Sequence, residues 1–208
     1  VIDFIKKHIH LFLLVAVTII AIFLRVCGMD FQSDDFNSFL NSWWSIIKLN
    51  DFTGLATQVG NYNIPYQVII YLMTLLPLNA LYAYKIVSII FDFVLAISTA
   101  MLVYSFAKNN RRLKAILTYS AVLLSTTVIF NSSFWAQCDS IYTSFIILAI
   151  LFLHKDKPIA SFVFIGIAFA FKLQTVFIIP VLLYYWISTK KISILHFFII
   201  PAVDVIMC

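Results

Sequence analysis

Two long apolar runs are separated by a short polar stretch, Trp135-Ala136-Gln137-Cys138-Asp139-Ser140-Ile141. Two further polar interruptions lie elsewhere in the chain: Ser33-Asp34-Asp35-Phe36-Asn37, after the first apolar run, and Lys172-Leu173-Gln174, inside a later one. If the chain threads a bilayer so that all three face the same side, carboxylates and a cation meet at one lip of a helical bundle. Charged groups collected at such a place point to function.

The composition excludes a soluble fold. Of the 208 residues 63% are hydrophobic and 11% are charged, and the mean hydropathy is +1.02, which is more apolar surface than a soluble domain can cover. With four Gly and five Pro, we expect spanning helices rather than barrel strands. The net charge of +5 comes from basic clusters between the apolar runs, which indicates membrane orientation rather than nucleic-acid binding. Three cysteines are too few and too scattered for a disulfide framework or a metal set.

The apolar runs predict an all-α polytopic membrane protein with a single transmembrane domain over residues 1–208. The predicted spans cover residues 11–26, 81–107, 113–130, 140–153, 159–171, 175–187 and 195–208. Lys6 and Lys7 precede the first span, so the N-terminus is expected inside by the positive-inside rule. Because the chain stops at Cys208 within an apolar run, we expect a longer protein whose C-terminal part is missing here.

A long first outer loop carries two predicted interfacial helices, over residues 35–49 and 64–78. The first has one apolar face at helical spacing, and Trp43 and Trp44 favour a membrane interface. The second is short for a span. If it crossed the bilayer, the basic loop at residues 108–114 would lie outside, against the positive-inside rule. We therefore expect the second helix to lie on the outer surface.

Three charged residues, Arg25, Lys85 and Asp92, lie inside or beside the apolar runs. Arg25 and Asp92 each allow a structural and a functional interpretation. Arg25, at the far end of the first span, is either a snorkelling side chain at the interface or a phosphate ligand. Lys85 and Asp92 are about two helical turns apart and share one face. A carboxylate at the depth of Asp92 indicates function by default, and the alternative is a structural hydrogen bond or ion pair within the bundle.

The carboxylates at the lip also have structural alternatives. Ser33 or Asp34 could cap the helix that follows, so Asp34 and Asp35 could serve as cap and as helix-dipole partners. Asp139 precedes the span that begins at Ser140 and could be its N-cap. Capping by Asp139 is compatible with substrate binding.

Five stretches together resemble the GT-C superfamily of polytopic glycosyltransferases, and within it the bacterial relatives of the mannosyltransferases of GPI-anchor assembly. They occur in the family's order and are spread over nearly the whole chain. They are Ser33-Asp34-Asp35-Phe36 with Phe39 and Trp43; Gly60-Asn61-Tyr62-Asn63-Ile64-Pro65-Tyr66; Lys85 with Asp92; Trp135-Ala136-Gln137-Cys138-Asp139-Ser140-Ile141-Tyr142; and Phe171-Lys172-Leu173-Gln174 with Pro180. Each is weak alone, and together they are specific for the family but not for the sugar. The chain departs from the family at Ala136, where Gly is usual, and at Ile64, where many members have a second Pro.

The resemblance implies a polyprenyl-phosphate-linked sugar donor, a glycan or lipid acceptor, and reaction at the extracytoplasmic face of a bacterial cell membrane. Since a phosphate is already a good leaving group, the reaction needs no general acid. A cation stabilises the departing charge, and one carboxylate deprotonates the acceptor hydroxyl. The expected step is a single displacement with inversion. Some members of the superfamily use a divalent metal and others do not, so a metal is possible and no metal ligand or other cofactor is assigned.

The resemblance also implies roles for individual residues. Asp35 matches the family's catalytic aspartate and is the expected general base, with Asp34 as the alternative. Lys172 is the expected phosphate ligand, with Arg25 or Lys85 as alternatives. The remaining residues expected to bind substrate are Trp135, Gln137, Asp139 and Gln174.

Two functions without catalysis stay open. One is a lipid-linked sugar flippase or transporter, which Asp92 and the broken spans around Lys172 would suit. The other is a structural subunit of a glycan synthesis complex, which would not need Asp35. No internal repeat is evident and most polar residues lie at one lip, which favours an enzyme. Membrane lipids are expected partners in each case.

Overall fold

The computed structural model describes residues 2–208, with side chains from His8 onward, so the side chains of Lys6 and Lys7 lie outside the described part. Over these residues the chain is 81% helical and contains no strand, which confirms the predicted all-α class. The α-helices are α1 (Ile2–Val26), α2 (Asn41–Asn50), α3 (Ile64–Thr74), α4 (Ala80–Phe106), α5 (Arg111–Leu123), α6 (Thr126–Ile129), α7 (Asp139–His154), α8 (Pro158–Phe171), α9 (Ile179–Thr189) and α10 (Ile199–Met207). Shorter π-helical turns cover Phe36–Leu40 and Phe130–Phe134, and 3-10 turns cover Asp51–Ala56, Leu173–Ile178 and Ile194–Phe198.

Two helices of the described chain are long and apolar enough to cross a membrane, namely α4 and the His8–Val26 part of α1. A third candidate is the pair Arg111–Leu123 and Thr126–Phe134, which is bent by 50°. The helices at the later predicted spans have 10–17 residues, fewer than the ~20 that a straight crossing needs. The lengths are therefore compatible with an integral membrane protein and assign fewer crossings than the sequence predicts.

Three predicted spans differ from the helices observed, and the last of them, at residues 195–208, is a 3-10 turn followed by α10. The span at residues 113–130 is interrupted because Ser125 adopts an extended backbone, which ends α5 before α6 begins. The span at residues 175–187 becomes a 3-10 turn followed by α9. Pro180 lies in the first turn of α9, the one part of a helix where a missing N–H costs nothing.

The bundle is built around α4, which packs against α5 on one side and α7 on the other. α7 also packs on α8, and α8 on α10. Ala21 and Ala96 are fully buried in the cluster that α1, α4 and α5 share, and such small residues let helices approach closely. Gly166 does the same for α8, since a Cβ there would lie 2.6 Å from Val203 Cβ.

The outer-loop helices are fastened to the bundle by aromatic side chains. Trp43 and Trp44 of α2 are buried against α3 and the start of α4, although the sequence predicts that they favour an interface. The Tyr84 hydroxyl donates to the Leu40 carbonyl at 3.0 Å. The helical segment that carries Asp35 is thereby held at the N-terminal end of α4.

Most of the apolar surface of α1 faces outward. Just 11% of its stretch His8–Val26 is buried against the rest of the protein. Exposed side chains along it include Leu11, Val15, Ile19 and Phe23. A continuous apolar surface of this size is typical of contact with lipid or with another protein.

Candidate active site

One serine hydroxyl joins the first polar stretch to the second. Ser33 Oγ accepts a hydrogen bond from the Phe36 N–H at 3.1 Å and donates to the Trp135 carbonyl at 3.2 Å. The first bond caps the helical segment that follows. Of the two caps that the sequence allows, Ser33 is therefore the one observed, and the adjacent carboxylates have no capping bond. Ser33 and Trp135 are 102 residues apart in sequence.

Asp35 has an exposed carboxylate that an amide orients. Gln137 Nε2 donates to Asp35 Oδ2 at 2.7 Å. The Tyr62 hydroxyl in turn donates to Gln137 Oε1 at 3.2 Å. No residue of the described chain donates to Asp35 Oδ1. One carboxylate oxygen is therefore held in place, and the other is free to accept a proton.

Asp35 lines two cavities at this end of the bundle. The first has a volume of about 160 Å³ and is lined by Asp35, Phe39, Leu40, Trp43, Asn61, Tyr62 and Gln137. The second has a volume of about 320 Å³ and is lined by Phe31, Gln32, Ser33, Asp34, Asp35 and Trp135. Asp34 and the half-exposed Trp135 reach the second cavity and not the first. Asp35 alone of the two adjacent carboxylates therefore touches both spaces.

Glycine is required beside the first cavity. Gly60 has φ of +76°, and a Cβ there would lie 2.3 Å from the Trp43 ring. The close approach puts the turn at residues 60–63 against α2 and brings Tyr62 to Gln137. Ala136 also lies in the left-handed region, with φ of 58°, a conformation that glycine adopts with less strain. This is the position where the sequence departs from the family it resembles.

Lys172 lies beside Tyr62. Its ammonium forms an ion pair with Asp139, whose other oxygen accepts a hydrogen bond from Asn131 Nδ2 at 2.9 Å. Lys172 Nζ is 5.4 Å from the centroid of the Tyr62 ring, within the range of a cation–π contact. Lys172 has an extended backbone, so α8 ends just before it.

Asp139 and Gln174 differ from their expected environments. Asp139 is the first residue of α7, and its side chain makes no capping bond, so its ion pair with Lys172 replaces the predicted N-cap. A carboxylate in the first turn of a helix is still favoured by the helix dipole. Gln174 is exposed in the 3-10 turn after Lys172 and has no hydrogen-bond partner among the described residues.

Tyr62 is the site residue to which the sequence assigns no role. It belongs to one of the stretches that carry the family resemblance, which was the available signal. Burial raises its pKa above the ordinary value for tyrosine, so the phenol stays protonated and remains a donor to Gln137. Burial also raises the pKa of the neighbouring Cys138 to about 11, so its thiol is not a nucleophile near neutral pH.

Arg25 is engaged within the bundle rather than at the cavities. Its Nε and Nη2 each lie 2.9 Å from Asp92 Oδ2, and its Nη1 donates to two backbone carbonyls. Asp92 also accepts hydrogen bonds from the Ser132 and Ser140 hydroxyls, both at 2.5 Å. Arg25 and Asp92 are fully buried. Of the two interpretations of Asp92, the structural ion pair is the one observed, and Arg25 is too deeply buried to bind a phosphate at the cavities.

Lys85 is also occupied. Its ammonium is fully buried and donates to the carbonyls of Gly28 at 2.7 Å, Met29 at 3.0 Å and Phe31 at 2.5 Å. A lysine has three N–H donors, and all three are used. Lys85 therefore fixes the turn after α1, and of the three candidate phosphate ligands only Lys172 has a partly exposed side chain.

No group of three or more His, Cys, Asp or Glu side chains in the described part of the chain is placed to hold a metal ion. The adjacent carboxylates of Asp34 and Asp35 therefore have no third acidic, histidine or cysteine ligand beside them. The roles derived for this site are those of the chain's own residues.

Comparison with known proteins leaves the site to be interpreted from its own geometry. No family model, curated protein or solved structure matches the chain. Function is therefore inferred from the residues that the fold brings together.

Proposed function

We propose that this protein is a membrane glycosyltransferase of the GT-C type. It moves a sugar from a polyprenyl-phosphate-linked donor to a hydroxyl of a glycan or lipid acceptor, on the extracytoplasmic side of a bacterial membrane. The observation that carries the proposal is the series of contacts from Asp35 through Gln137 to Tyr62, whose ring centroid lies 5.4 Å from Lys172 Nζ. A base and a cation from distant parts of the sequence are thereby joined through Tyr62, which lines the smaller cavity together with Asp35.

Asp35 acts as the general base. Its Oδ1 is unoccupied and its Oδ2 is held by Gln137, so the carboxylate is oriented before the acceptor arrives. A base positioned in this way contributes about 10²- to 10⁴-fold to a proton-transfer step. The acceptor hydroxyl gives its proton to Asp35 as its oxygen forms the bond to the anomeric carbon, and the bond from that carbon to the phosphate oxygen breaks.

Lys172 stabilises the charge that develops on the departing phosphate. In the described structure its ammonium is paired with Asp139 and is largely shielded from solvent. The phosphodiester of the donor carries one negative charge, and the polyprenyl phosphate that departs gains a second, so the cation interacts more strongly with the transition state than with the bound donor. Attack and departure on opposite sides of the anomeric carbon give inversion in one step.

The aromatic walls suit a sugar. Phe39, Trp43 and Tyr62 line the cavity with Asp35, while Asn61 and Gln137 supply amides. The ring faces can pack against the C–H faces of a pyranose, and the amides can bond its hydroxyls. Aromatic side chains combined with a few convergent polar groups are common in small-molecule sites.

The transporter alternative loses one of the two features on which it is based. Asp92 was the intramembrane charge that suggested a transport pathway, and its carboxylate is fully engaged by Arg25, Ser132 and Ser140. A charge committed to four buried contacts is poorly suited to bind and release a passing substrate. The other motivating feature, the break around Lys172, is present as the 3-10 turn between α8 and α9, so transport stays the alternative function.

The decisive measurement is sugar transfer from radiolabelled polyprenyl-phosphate sugars by the purified protein. We expect Asp35→Asn to lower the turnover number by about 10²- to 10⁴-fold, while donor binding changes little. Asp51→Asn is the matched control, since Asp51 is also an exposed outer-loop carboxylate but lines neither cavity. Wild-type turnover in Asp35→Asn would reject the assignment. If Asp34→Asn lost the turnover and Asp35→Asn did not, Asp34 would be the general base.

A further inference from the structure

A large apolar groove lies between α1, α4 and α5, at the end of the bundle away from Asp35. Its volume is about 600 Å³, and its apolar lining includes Leu14, Ile97, Ala100, Met101 and Ile116. Along α4, Tyr104 at the groove is about 28 Å from Lys85, which lies near the outer turn. The groove is therefore separate from the candidate active site.

Two cations lie at this groove, Arg111 and Lys155. Arg111 Nε donates to the Tyr104 carbonyl at 3.0 Å, and its guanidinium carbon is 4.5 Å from the centre of the Tyr104 ring. The guanidinium is thereby fixed in place, while its two terminal nitrogens have no partner among the described residues. Lys155 likewise has neither an ion pair nor a hydrogen bond from its ammonium to any described residue. Two unpaired cations, one of them preorganised, form an anion-binding pair.

The surroundings add to the positive potential. α5 begins with Arg111 and Arg112 and carries Lys114 in its first turns, with no acidic residue there. Cations at a helix N-terminus oppose the helix dipole, which favours anions. Asp156, the carboxylate next to Lys155, is taken by Lys191 at 2.7 Å. The charge at the groove is therefore not neutralised by the described chain, and a bound anion would offset it.

We propose that this groove binds an anionic glycerophospholipid. Its acyl chains lie against the apolar lining between α1, α4 and α5, and its headgroup phosphate binds Arg111 and Lys155. A small soluble anion would leave the apolar surface uncovered, and an uncharged lipid would leave both cations unpaired. An anionic amphiphile satisfies both parts at once. This binding does not depend on the proposed transferase activity.

Native mass spectrometry of the purified full-length protein can test this proposal with phosphatidylglycerol and phosphatidylcholine of identical acyl chains. Each basic residue near an anionic lipid surface contributes on the order of a fivefold gain in binding. With two such residues at the headgroup, we expect phosphatidylglycerol to bind about 25-fold more tightly than phosphatidylcholine. In Arg111→Gln/Lys155→Gln the two lipids should bind almost equally. Equal binding of both lipids to the wild type would overturn the proposal.

Two controls separate the groove from general surface charge. Lys108→Gln/Lys190→Gln removes the same charge from exposed residues outside the groove and should retain the preference. Ala100→Phe fills the groove without changing its charge. It should lower the binding of both lipids about tenfold. If this variant does not fold, Ile116→Trp is the second blocking variant. Unchanged lipid binding in a folded blocking variant would contradict the proposal. Loss of the preference for phosphatidylglycerol in Lys108→Gln/Lys190→Gln would also contradict it. The same holds for a lipid-free dimer in which a second copy of the chain covers the groove.

Discussion

At the scale of single residues, Tyr62 connects the two charged halves of the candidate site. Its hydroxyl holds Gln137, which holds Asp35, and its ring faces the ammonium of Lys172. The hydroxyl and the ring therefore have separable effects. Removing the hydroxyl loosens the proposed base, whereas removing the ring also changes the surroundings of the proposed phosphate ligand.

We expect Tyr62→Phe to lower the turnover number for sugar transfer by about two- to tenfold, the effect of one hydrogen bond, with an unchanged KM for the donor. Tyr62→Leu should in addition raise the donor KM, because the cation–π contact to Lys172 is lost. Steady-state kinetics with varied donor check both. Tyr82→Phe is the control, since it removes a phenol that donates to the Asp30 carboxylate at 2.6 Å, outside the site. An equal effect in that control would remove the positioning role from Tyr62.

At the scale of elements, Asp92 holds together parts of the chain that the site needs. Ser132 lies before the loop that carries Gln137, and Ser140 lies after it, and both donate to the same carboxylate on α4. Arg25 adds α1 to this cluster. A single buried carboxylate therefore sets the position of the loop relative to α1 and α4.

Asp92→Asn should lower the free energy of unfolding by about 3–5 kcal/mol, because it leaves the buried Arg25 without a counter-charge. Denaturant-induced unfolding in mixed micelles measures the change. The double variant Arg25→Met/Asp92→Asn removes both charges and should recover a large part of the loss. A single variant that loses less than about 1 kcal/mol would contradict the structural role.

The sequence predicts the positions of helices better than it predicts which side chains contact each other across them. Apolar runs and the breaks at Ser33 and Lys172 indicate where helices lie and which polar stretches can meet. Periodicity identifies the face of a residue but not the side chain opposite it, so the pairing of Arg25 with Asp92, 67 residues away, needs the structure. The three carbonyls that bind Lys85 carry no side-chain signal at all. The bend at Ser125 likewise lacks the Pro or Gly that usually marks one.

At the scale of the whole molecule, the two ends of the bundle differ in charge. The end near the start of α4 carries the acidic side chains Asp30, Asp34, Asp35, Asp51 and Asp139. The opposite end carries the basic side chains Lys108, Arg111, Arg112, Lys114, Lys155, Lys157, Lys190 and Lys191. By the positive-inside rule we expect the basic end to face the cytoplasm, which would place the candidate site on the outer side.

Labelling of intact cells with a membrane-impermeant maleimide tests this orientation. In a Cys27→Ser/Cys208→Ser background, Asn50→Cys should react in intact cells and Asn109→Cys only after permeabilisation. Cys138 can stay in place, because it is buried and its raised pKa of about 11 leaves little thiolate at neutral pH. If both introduced cysteines reacted from the same side, α4, which lies between them in the sequence, would not cross the membrane.

The ion pair between α1 and α4 also has a consequence for biosynthesis. At ~5–20 residues per second a ribosome reaches Asp92 about 3 to 13 s after Arg25, 67 residues earlier in the chain. During that delay the nascent first helix has a guanidinium with no counter-ion from its own chain. If α1 and α4 both cross the membrane, the insertion machinery has to retain the first until the second arrives. Release of the two helices into lipid is then a paired event.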